Sequence, residues 1–345
     1  MADLTIYGAG IFGLSLAWEA LKRGAAVTVI DPNGPGAGAS GGLVGALQPH
    51  MPDPWNEKKQ FQFDSLVIAR TFWSDVEKLS GLSSGFAPVG RLHPLATERD
   101  VELARARTPA AARNWRGLAS WSVTDKPPDH GAWCPPSPTG LYLYDTLSAI
   151  LNPRRATESL AAAVKARGGT ITAEANPKGP VIWATGWDGL RDLSRKFGKP
   201  VGNGVKGQAL LVDHTAIGAP QVYADGLHII AHLDGTVAIG STSEREFEAP
   251  FETDAQLDAL HARAIAQLPA LADAPILRCW AGVRPRAQSR APLIGPWPGR
   301  PGHFIANGGF KIGFGMAPKC AETLLDLVFE DTDQIPDSFH TRYIV

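Results

Sequence analysis

The first thirty-one residues limit what this chain can become more than any other stretch of it. Leu4-Thr5-Ile6-Tyr7 is a short apolar run of the kind that forms a buried strand, and Gly8-Ala9-Gly10-Ile11-Phe12-Gly13 follows with no spacer. From Leu14 to Arg23 the residues Leu14, Leu16, Ala17, Ala20 and Leu21 recur at helical spacing, with Glu19, Lys22 and Arg23 on the polar side. Gly24 stops that helix, and Ala26-Val27-Thr28-Val29-Ile30 is a second strand closed by Asp31. Strand, glycine turn, helix, strand and acid in that order make a βαβ unit suited to a dinucleotide. Gly8 permits the tight turn, Gly10 lets backbone approach a pyrophosphate, and Gly13 lets helix and strand pack closely. The helix N-terminus offers N–H groups and a positive dipole end to the phosphates. Asp31, 18 residues past the last of these glycines, is placed to accept ribose hydroxyls and to disfavour a 2′-phosphate.

The remaining 314 residues show two kinds of pattern. Residues 32–54 are rich in glycine, proline and small side chains, and Phe61 to Leu79 has the spacing of an amphipathic helix. Thr157 to Arg167 reads as an alanine-rich helix returning to a strand at Gly168–Ala173, and Pro180–Gly186 as another buried strand ending at a glycine. From Gly207 to Thr242 the segments broken by Asp225-Gly226 and Asp234-Gly235 read as antiparallel hairpins. Leu257 to Leu271 and Cys320 to Phe329 read as helices. An α/β pattern near both ends and around 157–190, with antiparallel strands between, implies a nucleotide-binding domain assembled from separated segments with a second domain interleaved. The expected division is 1–49, 140–190 and 281–345 for the first domain, and 50–139 and 191–280 for the second.

Composition narrows the function. Hydrophobic residues make up 44% and charged residues 19%, enough to bury a large core, and 33 basic against 34 acidic residues leave a net charge of −1. No basic run marks a nucleic-acid or anionic-lipid partner. Cys134, Cys279 and Cys320 are odd in number and widely spaced, which gives neither a disulfide framework nor a CxxC metal or redox site. No metal site is expected. Neither a signal-peptide pattern nor a membrane-spanning run is visible, so the expected location is the cytoplasm, without membrane insertion.

The βαβ unit alone does not separate NAD from FAD. Ala39-Ser40-Gly41-Gly42, Val181–Trp187, Asp234–Glu244, Trp280–Pro285, Pro292–Gly295 and Gly308–Gly313 supply further markers. With these the chain resembles, nearly end to end, the FAD-dependent amine and amino-acid oxidases typified by D-amino-acid oxidase, glycine oxidase and sarcosine oxidase. The resemblance implies α/β plus α+β architecture: a Rossmann-type FAD-binding domain in separated segments and an antiparallel-sheet substrate domain. It implies noncovalent FAD contacted by Gly8, Ala9, Gly10, Ile11, Phe12, Gly13, Asp31 and Pro32, and by Ala39, Ser40, Gly41, Gly42 and Leu43. Further along it implies contacts from Ala173, from Ala184, Thr185, Gly186 and Trp187, and from Arg284, Gly309, Phe310, Lys311, Ile312 and Gly313. Arg284 falls where glycine oxidase uses an arginine to clamp the substrate carboxylate, a task that suits a planar guanidinium. Lys311 matches a carboxylate-binding lysine of sarcosine oxidase.

The implied reaction is hydride transfer from a carbon bearing an amine to the flavin, followed by imine hydrolysis. Its partners would be a small amine or amino acid and either O2 or another electron acceptor, with no nucleic acid. One departure stands out. Relatives often carry Tyr-x-x-Pro-Arg before the hairpin, whereas this chain reads His228-Ile229-Ile230-Ala231-His232, so His228 stands where a carboxylate-binding tyrosine is expected. His50, just past the glycine segment, is a second candidate for the substrate side. The competing readings are an NAD-dependent dehydrogenase, a flavin oxidase of the tRNA-modifying type, and a nucleotide-binding sensor without activity.

Overall fold

The computed structural model describes residues 3–344. Asp3–Tyr7 forms the strand expected of Leu4–Tyr7 and lies inside a six-stranded sheet. Across that sheet run Leu293–Pro296, His303–Asn307, Val181–Trp183, Asp3–Tyr7, Ala26–Ile30 and Thr170–Thr172. All neighbours are parallel except the edge pair Leu293–Pro296 and His303–Asn307. Thr5 and Ile6 point to opposite faces of the strand and both are buried, as strands covered on both sides require. The helices Ile11–Lys22, Pro153–Ala166 and Gly313–Glu330 pack side by side, and Glu57–Ser80 lies across the last two.

The second layer is an eight-stranded sheet in the order Ile276–Ala287, Gly202–Asp213, Thr236–Gly240, Leu227–Ala231, Gln221–Ala224, Arg91–Pro94, Tyr142–Asp145 and Trp121–Thr124. Only Gln221–Ala224 and Arg91–Pro94 pair in parallel. The expected hairpin is present: Ala224 faces Leu227, and Asp225 and Gly226 both adopt positive φ, 48° and 72°. That is the geometry a two-residue turn needs to follow the strand twist. The helix Ala255–Gln267 covers this sheet through Leu257, Leu260 and Ala264, in a core separate from that of the parallel sheet.

Three elements lie across the expected division. The 280/281 boundary falls inside Ile276–Ala287, which pairs with Gly202–Asp213 on both sides of that point. Tyr142–Asp145, within 140–190, belongs to the antiparallel sheet, and Glu57–Ser80, within 50–139, packs on the helices of the parallel one. The C-terminal helix also differs, beginning at Gly313 rather than Cys320 and running through Pro318. Proline deprives the Phe314 carbonyl of its helical donor. The helix continues past it, and the next amide, Lys319 N–H, donates to Ser65 Oγ of the neighbouring helix at 3.3 Å.

Candidate active site

The glycine turn is set by space. A Cβ on Gly13 would sit 1.8 Å from the Gly8 carbonyl oxygen, and one on Gly8 would sit 2.3 Å from that of Ala184. Gly8 also has φ +102°, which suits glycine. Ser40 Oγ accepts a hydrogen bond from Ile11 N–H at 2.9 Å, so the Ala39–Gly41 turn lies against the start of the first helix. Asp31 Oδ2 accepts from Ala9 N–H at 2.8 Å and Oδ1 from Asn33 N–H at 3.0 Å; each oxygen keeps a further lone pair for a ribose hydroxyl. Pro32 and Ala173 are exposed beside Asp31, whose own N–H bonds the Thr172 carbonyl.

The final glycine loop reaches the same place from the far end of the chain. A Cβ on Gly309 would be 3.1 Å from Phe12 Cζ and 2.9 Å from Gly313 Cα, so this loop meets the first helix closely and turns at once into the last one. Asn307 braces it: its Nδ2 donates to the Gly186 carbonyl at 2.9 Å, and its Oδ1 accepts from Gly308 N–H at 2.7 Å. Ala184, Thr185 and Gly186 are thereby joined to Gly309–Gly313. Trp187 turns instead to the antiparallel sheet, over Gly204 and beside Phe247, with Arg191 on its face. Gly42 is covered by the Trp280 ring, and Leu43 is buried near it. Backbone that no side chain may fill, helix N-terminal amides and a carboxylate are together what a dinucleotide requires.

Beside the final loop is a cavity of about 250 Å³ lined by Ala46–Met51, Gln62, His228, Lys311, Ile312 and Gly315. It joins both sequence-predicted histidines to Lys311. A larger groove of about 480 Å³ lies between residues 199–201 and the turns at 337–344, away from all of these groups.

Burial pushes the His228 imidazole down to about 3, helped by the charges of Arg91 and Lys311, so it is neutral near pH 7. Its Nδ1 is buried without a partner. Burial also lowers His50, aided by Lys58 and Lys59 and opposed by a hydrogen bond to Gln62. Gln62 Oε1 accepts from His50 N–H at 2.7 Å and from His50 Nδ1, while its Nε2 donates to the Gln48 carbonyl at 3.1 Å. His232 does not line the cavity; it lies within its own hairpin beside Thr236, and burial lowers it to about 4.

Arg284 departs from expectation. Its Nη2 donates both hydrogens to backbone, to the Thr242 carbonyl at 2.7 Å and the Lys206 carbonyl at 3.1 Å, and its Nη1 donates to Ser241 Oγ at 2.7 Å. A guanidinium grips two carboxylate oxygens along an edge that includes Nη2, with either Nε or Nη1 beside it. Both edges are therefore occupied, and Arg284 does not line the cavity. Its charge is still close: Arg284, Arg286 and Lys311 surround the Phe310 ring at 5.6, 5.6 and 5.7 Å. Burial lowers Arg284 to about 10 against the opposing charge of Glu244, and lowers Lys311 with a contribution from Arg284. Lys311 is the cation the cavity presents.

Sequence reasoning missed Gln62, Asn307 and Ser241. Gln62 left one usable signal, a polar residue on the stripe it shares with Ser65, Leu66 and Ala69 on a helix whose other face is solvated.

Such an arrangement defines a dinucleotide-binding protein of two interleaved sheets with a small polar cavity at their junction. The chain belongs to the family of FAD dependent oxidoreductases (DAO), whose model matches residues 3–327. It is 28% identical to a glycine oxidase of Pseudomonas aeruginosa over 94% of each chain. It is 26% identical to the bifunctional protein ThiO/ThiG of a Nostoc species, over 98% of this chain and 54% of that one, so it spans about half of that relative. Its fold is similar to the crystal structure of glycine oxidase from Geobacillus kaustophilus, with a TM-score of 0.82, 20% identity and coverage of 98% and 97%. The family that residues 3–327 match is FAD-dependent, and the NAD reading falls. Among the described residues no cluster of three His, Cys, Asp or Glu could hold a metal, and no helix is long and apolar enough to cross a membrane.

Proposed function

We propose that this chain oxidises the C–N bond of a small amine that carries a carboxylate, an amino acid of the kind glycine, sarcosine and D-amino-acid oxidases take. One observation carries the reading: a cavity at the edge of the FAD-binding loops contains one cation, Lys311, beside two imidazoles that are neutral at pH 7. When bound, FAD would supply the acceptor for the hydride of the substrate carbon. The chain's own residues bind and orient. Lys311 holds the carboxylate by a charge-assisted hydrogen bond, strengthened by its partial burial. Arg284 ties the turn at Ser241–Thr242 to the strand that supports Phe310, and adds positive field behind Lys311. His228, in place of a tyrosine, offers a neutral ring nitrogen where relatives offer a hydroxyl. The first helix, the Ala39–Leu43 segment and the Gly309–Gly313 loop hold FAD noncovalently. O2 or another acceptor would serve as the final electron acceptor, and the released imine hydrolyses in water.

The test is anaerobic addition of glycine, sarcosine, D-alanine and D-proline to the purified flavoprotein. Bleaching of the flavin band by one of them, weakened at least 100-fold in kcat/KM by Lys311→Met with flavin content unchanged, supports this reading. A fully active Lys311→Met sinks it.

A further inference from the structure

The cavity contains a hydrogen-bond acceptor that a carboxylate cannot use, and the tautomer of His50 shows what it is for. Gln62 Nε2 donates to the Gln48 carbonyl, which fixes Gln62 Oε1 as an acceptor. Both His50 N–H and His50 Nδ1 bond to that same oxygen, so Nδ1 must carry the ring proton. With the imidazole neutral, Nε2 is left with its lone pair, and no donor among the described residues reaches it. One acceptor, His50 Nε2, therefore shares the cavity with one cation, Lys311. A substrate that satisfies both has a carboxylate at one end and an N–H donor at the other, which describes an α-ammonium acid.

We propose that the His50–Gln62 pair is the amine subsite, and that His50 Nε2 takes a proton from the substrate's ammonium group. The inference rests on the amino-acid reading above and assigns the other end of the same molecule. The step balances simply. One N–H bond of the ammonium breaks and one Nε2–H bond forms, the positive charge passes to the imidazolium, and the amine nitrogen regains its lone pair. Nδ1–H stays on Gln62 throughout, and the proton goes on to water after the product leaves. Only the unprotonated amine can push electrons toward the carbon that loses hydride, so this proton must leave first. The charged and titratable groups facing His50 are Lys58 and Lys59 on the adjoining helix and Lys311 and His228 across the cavity. All but neutral His228 are cations, which keeps the resting imidazole free to accept.

The test uses two acids that no flavin can oxidise by this route, since 2-aminoisobutyrate has no α-hydrogen and isobutyrate has no amine. Their affinities for the FAD-loaded protein are read from flavin difference spectra between pH 5 and 8. The wild type should prefer 2-aminoisobutyrate at least tenfold at pH 7.5, and the preference should fade below pH 6.5 as His50 protonates. His50→Asn keeps a donor for Gln62 but deletes Nε2. It should bind isobutyrate within twofold of wild type, with the amine preference and its acid limb both gone. Should His50→Asn retain the preference, or lose both acids equally, the amine subsite is overturned while the carboxylate reading stands. Isobutyrate binding that is indifferent to Lys311→Met would instead fell the carboxylate reading, and this assignment with it. Flavin content and thermal midpoint, measured on each variant, separate misfolding from loss of the subsite.

Discussion

The glycine turn at Gly8–Gly13 and the cavity at His50, His228 and Lys311 lie on the same molecule but are specified in opposite ways. The turn is a contiguous stretch in which two positions forbid a side chain, because an added methyl at Gly13 would overlap the Gly8 carbonyl oxygen and one at Gly8 that of Ala184. The cavity is a convergence of side chains from the glycine segment's exit, the helix Glu57–Ser80, the strand Leu227–Ala231 and the last loop. Steric exclusion leaves a local mark in sequence; convergence leaves almost none. The first should therefore tolerate no substitution at those two positions, and the second should respond in degrees.

The largest effect is expected at the turn. Gly13→Ala should purify without flavin or fail to fold, whereas Gly24→Ala, where a Cβ meets nothing within 4 Å, should keep full flavin and lose only about 1–3 kcal/mol for its positive φ. Absorbance ratios of the two variants decide this, and equal flavin content would erase the contrast. Next comes Lys311→Met, with a loss of about 100-fold in kcat/KM, roughly 2.7 kcal/mol, and FAD retained. An equal loss of flavin would move Lys311 from the cavity to the cofactor.

A smaller effect concerns pH. His228 and His232 stay neutral in the folded protein down to about 3 and about 4, while the unfolded chain protonates them near 6.5. The unfolded state then binds more protons, so stability present above pH 6.5 is lost as pH falls toward those values. The slope is at most about 1.4 kcal/mol per pH unit for each histidine. His228→Gln should flatten urea-unfolding stability between pH 6.5 and 4.5; an unchanged slope would mean that His228 is not held neutral. The smallest effect is that of Ser241→Ala, which removes one of the three acceptors that bind the Arg284 guanidinium and should cost about 0.5–1.5 kcal/mol in thermal unfolding. A loss of more than tenfold in kcat/KM there would show that the turn places Arg284 for catalysis.

Legibility follows the same division. The βαβ unit, the Asp225-Gly226 hairpin and the amphipathic helix after the glycine segment were readable, because each depends on residues a few positions apart. The start of the last helix was not, since Pro318 ordinarily signals a boundary, and the hydroxyl that accepts from the following amide, Ser65, lies 254 residues from Lys319. Lys311, His50 and His228 were readable as candidates only. Nothing local showed that Gln62 orients His50, or that backbone carbonyls at Lys206 and Thr242 occupy the Arg284 fork. A carbonyl group carries no residue-specific signature, so a side chain that binds backbone is invisible to pattern reading.

The parallel sheet also has a timetable. Its central strand, Asp3–Tyr7, pairs with Val181–Trp183, which in turn needs His303–Asn307, and the loop that closes over the first helix lies at Gly309–Gly313. A ribosome making about 5–20 residues per second takes on the order of tens of seconds to travel from the first glycine turn to that loop. Throughout that interval the nascent βαβ unit holds an apolar strand with a free edge. Flavin has only half of its cradle, so cofactor loading is an event of late synthesis or after release. Slowing elongation over residues 184–302 should prolong dependence on chaperones without changing the finished enzyme.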